Sequence, residues 1–148
     1  RPAQARPLVK ARAARLAEPP AGKPWQTVRD AIGDLPEPGD GTVLNHVYQP
    51  GARAYVGHTG SVMDWPSKTL KAGVHGVPGG ENMIDLENGS YRYFSVREAA
   101  RIQTFPDTWH FLGAWSEAMR QLGNAVPMRL AQVVSASVAQ RLRQADGA

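Results

Sequence analysis

No cysteine occurs anywhere in the 148 residues. This chain therefore forms no disulfide, holds no thiolate-ligated metal, and supplies no thiolate nucleophile of its own. The same lack fits an intracellular setting. No apolar run approaches the length that crosses a bilayer. No apolar stretch follows the basic residues at the start, so that start is not a secretory signal. A soluble chain with no membrane partner is the expectation. The histidines His46, His58, His75 and His110 stand at no ligand-like spacing from one another, so no metal site is expected. Gly73 to Gly80 lacks the Gly-Lys-Ser/Thr ending of a phosphate-binding loop, and no helix pattern follows it.

What is present points to one loop-rich domain, or one domain and a piece of another. Hydrophobic residues make up 42%, with 15 Gly and 12 Pro to interrupt them. The net charge of +4 favours a polyanionic partner. That charge is concentrated at the start, where Arg1, Arg6, Lys10, Arg12, Arg15 and Lys23 face only Glu18. Residues 1–24 read first as a solvated linker, with a basic arm on a phosphate backbone as the alternative. A helix from about Leu8 to Ala17 is compatible with its Arg/Ala content, between bracketing prolines.

Thr27 and Asp30 have the spacing of a capping box, which predicts a short helix through Ala31 and Ile32 with Gly33 as its cap and Pro36 beyond. From Glu37 to Ser90 glycine and proline punctuate short segments. Thr42–Leu44, Arg53–Val56 and Lys68–Ala72 read as short strands of a small, irregular β-rich unit. Its interleaved His, Arg, Lys, Thr, Asn and Tyr side chains are types that touch base edges and phosphates, although a polar surface loop has the same composition.

Tyr91–Phe94 reads as an aromatic strand leading into Ser95. Ser95 and Glu98 form a second capping box, so a helix should start at Val96 and stop near Thr104, ahead of Pro106. Val96, Ala99, Ala100 and Gln103 share one face of it. Ser116 is expected to cap a second short helix that Gly123 ends, and Pro127 to lie in the first turn of a third. In that last helix Leu130, Val134, Val138 and Leu142 recur every four residues beside Val133. Such a stripe must lie against an apolar surface, either the preceding helices or a partner.

Ser95 to Asp107 and Gln121-Leu122-Gly123-Asn124-Ala125-Val126-Pro127, in this order and a short helix apart, resemble the ninth and tenth sequence blocks of DNA (cytosine-5)-methyltransferases. Thr27 to Pro36 is similar to the helix that introduces the family's target-recognition region. Asp64 to Leu70 resembles the Pro-Ser/Ala-x-Thr-Leu/Ile element inside that region. The resemblance covers about Trp25 to Ala139. It implies a division into an arm (1–24), a target-recognition domain (25–94), C-terminal helices that dock on a catalytic domain (95–142) and a frayed tail (143–148).

Under that resemblance Arg97, Glu98 and Arg101 are structural supports of the ninth block. Asn124, Ala125 and Val126 contact S-adenosylmethionine, with free N–H groups at the start of the last helix available to its carboxylate. Arg53, His58, Lys68, Lys71 and His75 are the candidate contacts to double-stranded DNA. The catalytic residues are not in this chain: the family's Pro-Cys block is missing, as are its glycine-rich cofactor turn, its Glu-Asn-Val-like block and its Arg-rich block. Cytosine C5 accepts a methyl group only after a thiolate adds at C6.

The fold expectation is α+β: a small irregular β-rich unit followed by three short helices, with the Rossmann-like catalytic half elsewhere. The functional expectation is the target-recognition and cofactor-pocket-completing portion of such an enzyme, as in restriction-modification systems. It would be inactive without an N-terminal catalytic half and would bind S-adenosylmethionine only with it. Arg1 in place of an initiating Met leaves open a fragment of a longer chain or a natural split subunit. The expected location is cytoplasmic, in a bacterium, with the nucleoid. The rival reading is a basic DNA-binding module with no catalytic duty.

Overall fold

Two capping boxes fix the helices on which the rest is assembled. In the computed structural model, which describes residues 24–72 and 80–146, helix α1 runs Val28–Ile32. Thr27 accepts the Asp30 N–H, and Asp30 returns the bond to the Thr27 N–H. Helix α2 runs Val96–Ile102, with Ser95 and Glu98 making the same reciprocal pair. Both starts were legible because all four partners lie within one turn of sequence. The arm, its expected helix, the glycine-rich run 73–79 and His75 lie outside the described residues.

A three-stranded sheet, ordered β1-β2-β3, lies between the helices in sequence. Strand β1 (Ser61–Val62) pairs parallel with β2 (Met83–Asp85), and β2 pairs antiparallel with β3 (Tyr91–Tyr93). Ser61 faces Ile84, and Met83 faces Tyr93. A short 3-10 turn, Gly80–Asn82, feeds β2, whose residues are all buried. Gly60 enters β1 with φ of +70°, and a Cβ there would fall 3.0 Å from the Asp85 nitrogen, so glycine is required.

The aromatic strand appears as expected, whereas Thr42–Leu44, Arg53–Val56 and Lys68–Ala72 are not strands. Asp40 closes a side-chain turn onto the Thr42 N–H at 2.9 Å, and Asn45 takes φ of 64°, so the chain there curls instead of extending. Tyr55 and His58 exchange both backbone bonds across a two-residue turn, which uses up the would-be strand. Lys68–Ala72 finds side chains where a ladder would need backbone. The Lys68 N–H donates to Ser61 Oγ, and the Asn82 amide both accepts from the Lys71 N–H and donates to the Lys71 carbonyl.

The core forms where α1, α2 and helix α3 (Trp115–Asn124) meet β2 and Phe94. Val28 and Ile32 contribute from α1, Val96, Ala99 and Ala100 from α2, and Ala118, Met119 and Leu122 from α3. Each large side chain so buried stabilises the fold by roughly 1.5–3 kcal/mol.

Two helix ends differ from expectation. Ala114 caps α3 without a side-chain bond, and Ser116 is exposed within the first turn. The start is set instead by Trp115, whose indole N–H donates to the Phe94 carbonyl at 2.9 Å. Gly123 does not end the helix, which continues to Asn124. Helix α4 (Met128–Asp146) is 19 residues long, not short, and follows Pro127, whose carbonyl accepts the Ala131 N–H. None of its described side chains is buried. The described residues are mixed α and β, with one small sheet.

Candidate functional site

Buried polar groups of α2 hold the site's scaffold. The Arg97 side chain is 1% exposed. Its guanidinium donates to the carbonyls of Leu44, Pro106 and Trp109 and approaches Asp107 at 3.6 Å. Burial pushes its pKa down, because desolvation disfavours the charged form. One planar fork thus ties the loop before the sheet to the loop after α2. Asn45 repeats the tie, its amide exchanging both bonds with the Phe111 backbone.

Glu98 receives both Arg92 nitrogens, at 2.7 and 2.6 Å, which joins the cap to β3. Arg101 binds Asp107 and Asp34, and the Arg101 guanidinium holds the Asp107 carboxyl below its ordinary range. His46 is buried, with Nε2 2.7 Å from the Pro36 carbonyl and Nδ1 2.7 Å from Ser95 Oγ. A carbonyl only accepts, so Nε2 carries a proton there. This histidine is part of the scaffold. Among the described residues no cluster could hold a metal ion.

The tenth-block segment leaves α3 and enters α4 across the C-terminal end of α2. Gln103 donates from Nε2 to the Leu122 carbonyl at 2.8 Å, and its own carbonyl accepts the Met128 N–H at 3.1 Å. Thr104 Oγ1 accepts the Arg129 N–H at 2.9 Å. The expectation that these first N–H groups of α4 stand free for a ligand carboxylate is therefore corrected: Met128 and Arg129 have theirs engaged. Asn124 and Val126 are exposed, and Ala125 is half-buried. Of the three, Ala125 lines a cleft of about 340 Å³, together with Thr27, Lys68, Gln103, Gly123 and Pro127 among others. Asn124 and Val126 are not among the residues that line it.

The candidate DNA contacts fall into one group and two outliers. Lys71 Nζ lies 2.7 Å from Glu81 Oε1, and His58 Nδ1 lies 3.7 Å from Glu81 Oε2. The Lys71 bond lowers the Glu81 pKa, more than burial raises it. His58 stacks on Tyr55 with ring centroids 4.3 Å apart. Lys68 donates to Thr59, the neighbour of His58 in the chain. His58, Lys68 and Lys71 are thus brought together around Glu81 and Thr59. Arg53 is exposed and stands apart from this group, while His75 lies outside the described residues.

Sequence reasoning missed Glu81, Asn82, Gln103 and Thr104. Gln103 was read as one more position on a buried face, and no local pattern distinguishes it. For Thr104 the only sequence signal was its place just ahead of Phe105-Pro106, where a helix must stop.

Comparison with known proteins adds the family. The family model described as C-5 cytosine-specific DNA methylase matches residues 26–140. The chain is similar to Type II methyltransferase M.Sau96I of Staphylococcus aureus, at 51% identity over 53 residues, covering 36% of this chain and 12% of that protein. It is similar to Type II methyltransferase M.MthTI of Methanothermobacter thermautotrophicus, at 36% identity over 141 residues, covering 76% of this chain and 42% of that protein. It is also similar to DNA (cytosine-5)-methyltransferase 1 of Gallus gallus, at 41% identity over 75 residues, covering 48% of this chain and 5% of that protein. The chain spans less than half the length of each of these relatives.

Proposed function

The chain belongs to the C-5 cytosine-specific DNA methylase family, and from that premise we propose that it is the target-recognition and cofactor-wall portion of such an enzyme. The assembled enzyme transfers a methyl group to C5 of cytosine in duplex DNA, as part of restriction-modification. A catalytic half outside this sequence supplies the thiolate, because this chain has no cysteine. S-adenosylmethionine, when bound, supplies the methyl group.

One observation carries the reading. Leu130, Val133, Val134, Val138 and Leu142 on α4 are each between 53% and 68% exposed. Covering side chains already about half-buried is worth roughly 1 kcal/mol apiece, about half the value of full burial, so an isolated chain would leave stabilisation unused. The stripe directly follows the segment carrying Asn124 and Val126. A surface docked on α4 would therefore sit beside that segment and close it into a pocket. A stand-alone DNA-binding module leaves this face with no role.

This chain's own residues bind and orient. Asn124 offers a donor and an acceptor to the methionine part of the cofactor, and Ala125 and Val126 offer apolar contact. Lys68, Lys71 and His58 meet the DNA backbone or base edges near the target, with Arg53 and His75 as further contacts. The role implies a location with the cell's DNA.

Duplex-DNA titrations of this chain, followed by fluorescence anisotropy across a salt series, test the recognition role. Weak binding that falls steeply as salt rises is expected. Salt-independent binding, or none at low ionic strength, would remove the DNA contacts from the account.

A further inference from the structure

Gln103 grips both ends of one short segment. Its side chain holds the Leu122 carbonyl, where α3 is ending, and its backbone carbonyl holds the Met128 N–H, where α4 begins. Thr104, the next residue, adds a third bond through its hydroxyl to the Arg129 N–H. Everything between these anchors is the run Gly123-Asn124-Ala125-Val126-Pro127. No other pair of adjacent residues in the described structure spans it in this way.

Thr104 carries a further mark. Its φ is +60°, a left-handed conformation that a β-branched residue adopts only at an energetic cost. A helix end of this geometry is served best by glycine, which has no such cost. Glycine has no hydroxyl, however, and the hydroxyl is what holds α4. Strain is retained here together with a bond that only a side-chain oxygen can make.

We infer that Gln103 and Thr104 are positioning residues that fix the 123–127 segment in the shape presented to S-adenosylmethionine. The inference rests on the proposed reading that Asn124 to Val126 meet that cofactor. Without the Gln103 amide the Leu122 carbonyl keeps only the Ala125 N–H, at 3.1 Å, and the turn that aims Asn124 is held by one bond instead of two. Without the Thr104 hydroxyl the first turn of α4 loses one of its anchors. Both changes act directly on the cofactor wall, while the Lys68–Lys71 group keeps its own bonds to Ser61 and Asn82.

The test uses the intact enzyme, including the catalytic half. Calorimetric titration gives the S-adenosylmethionine dissociation constant, and steady-state kinetics give kcat and the KM for DNA. Gln103→Met, which keeps the size and removes the donor, should weaken cofactor binding about tenfold, the effect of one lost buried hydrogen bond. Thr104→Ala should weaken it about threefold, and Thr104→Ser, which keeps the oxygen, should stay within about twofold of the parent. The KM for DNA should not move in any of them.

Unchanged cofactor affinity in Gln103→Met and Thr104→Ala, while Asn124→Ala weakens it, would overturn the inference and leave the proposed function standing. Equal losses for cofactor and DNA would also overturn it, as the mark of a merely structural role. If Asn124→Ala leaves cofactor affinity untouched as well, the reading of the segment fails and the inference falls with it. Should Gln103→Met not fold, the Ala and Ser variants at Thr104 decide the matter between them.

Discussion

Gly123 lies so close to Ala72 that a Cβ on it would fall 2.8 Å from the Ala72 nitrogen and 2.9 Å from the Ala72 Cβ. The helix that leads into the candidate cofactor wall thus rests, backbone on backbone, against the segment that carries Lys71. Asn82 holds that segment from the other side through the Lys71 peptide groups. The two halves of the candidate site meet at one glycine.

A helix-interior glycine exchanged for alanine ordinarily gains about 1 kcal/mol from propensity. Here the sign should reverse. Gly123→Ala is expected to destabilise the protein by about 1–3 kcal/mol, because the contact is with backbone that cannot swing aside. Urea denaturation measures it, and a stabilised variant would contradict the role given to this contact.

Arg97 is the second stability prediction. Arg97→Met takes the guanidinium donors from the carbonyls of Leu44 and Trp109, leaves Pro106 with the Trp109 N–H alone, and should cost about 2–4 kcal/mol. Arg97→Lys should recover little, since one ammonium cannot reach three diverging acceptors. Near-parent stability of the lysine variant in the same denaturation experiment would contradict the role given to the guanidinium fork.

The carboxyls of Glu81 and Asp107 are both held below their ordinary range, Glu81 chiefly by Lys71 and Asp107 chiefly by Arg101. A depressed folded-state pKa means that the unfolded chain binds more protons in the window between the two values. The stability contributed by these pairs is therefore complete above the ordinary carboxyl range and is lost as pH falls from there through the depressed folded-state values. Thermal midpoints should be flat near neutral pH and drop below about pH 4.5. Asp107→Asn should lessen that drop, and an unchanged acid profile would count against the Arg101 pair.

On the DNA side, Glu81 restrains Lys71 through its carboxylate. Lys71→Met should weaken duplex binding and reduce the slope of log K against log salt by about 0.9, the value for one phosphate contact. Glu81→Gln should act in the opposite sense and tighten binding at low salt. A Lys71→Met variant with the parent's slope would take Lys71 off the phosphate backbone.

Much of this arrangement was legible in the sequence where its causes are local. Thr27 with Asp30 and Ser95 with Glu98 announced two helix starts because each box closes within four residues. The buried face Val96, Ala99, Ala100 and Gln103 followed from the helical period. The strands were less legible. Ser61–Val62 and Met83–Asp85 are too short for an alternation to register, and their pairing is decided by chain that is distant in sequence. Lys68–Ala72 has the pattern of a strand but is bonded by the side chains of Ser61 and Asn82. Gly123 has the look of a terminator, and only the proximity of Ala72 reveals it as a contact. Gln103 reaches a partner 19 residues later, a relationship that no window of sequence contains.

The most direct test of the central claim is methyl transfer itself. Duplex DNA and labelled S-adenosylmethionine would be incubated with this chain alone, and with it joined to a cysteine-bearing catalytic half of the family. Nucleosides would then be resolved by mass spectrometry. The account predicts no transfer by the chain alone, and 5-methylcytosine at a defined duplex site once the cysteine-bearing half is present. Methyl transfer by this chain unaided, or an assembled enzyme that leaves cytosine C5 unmodified, would contradict it.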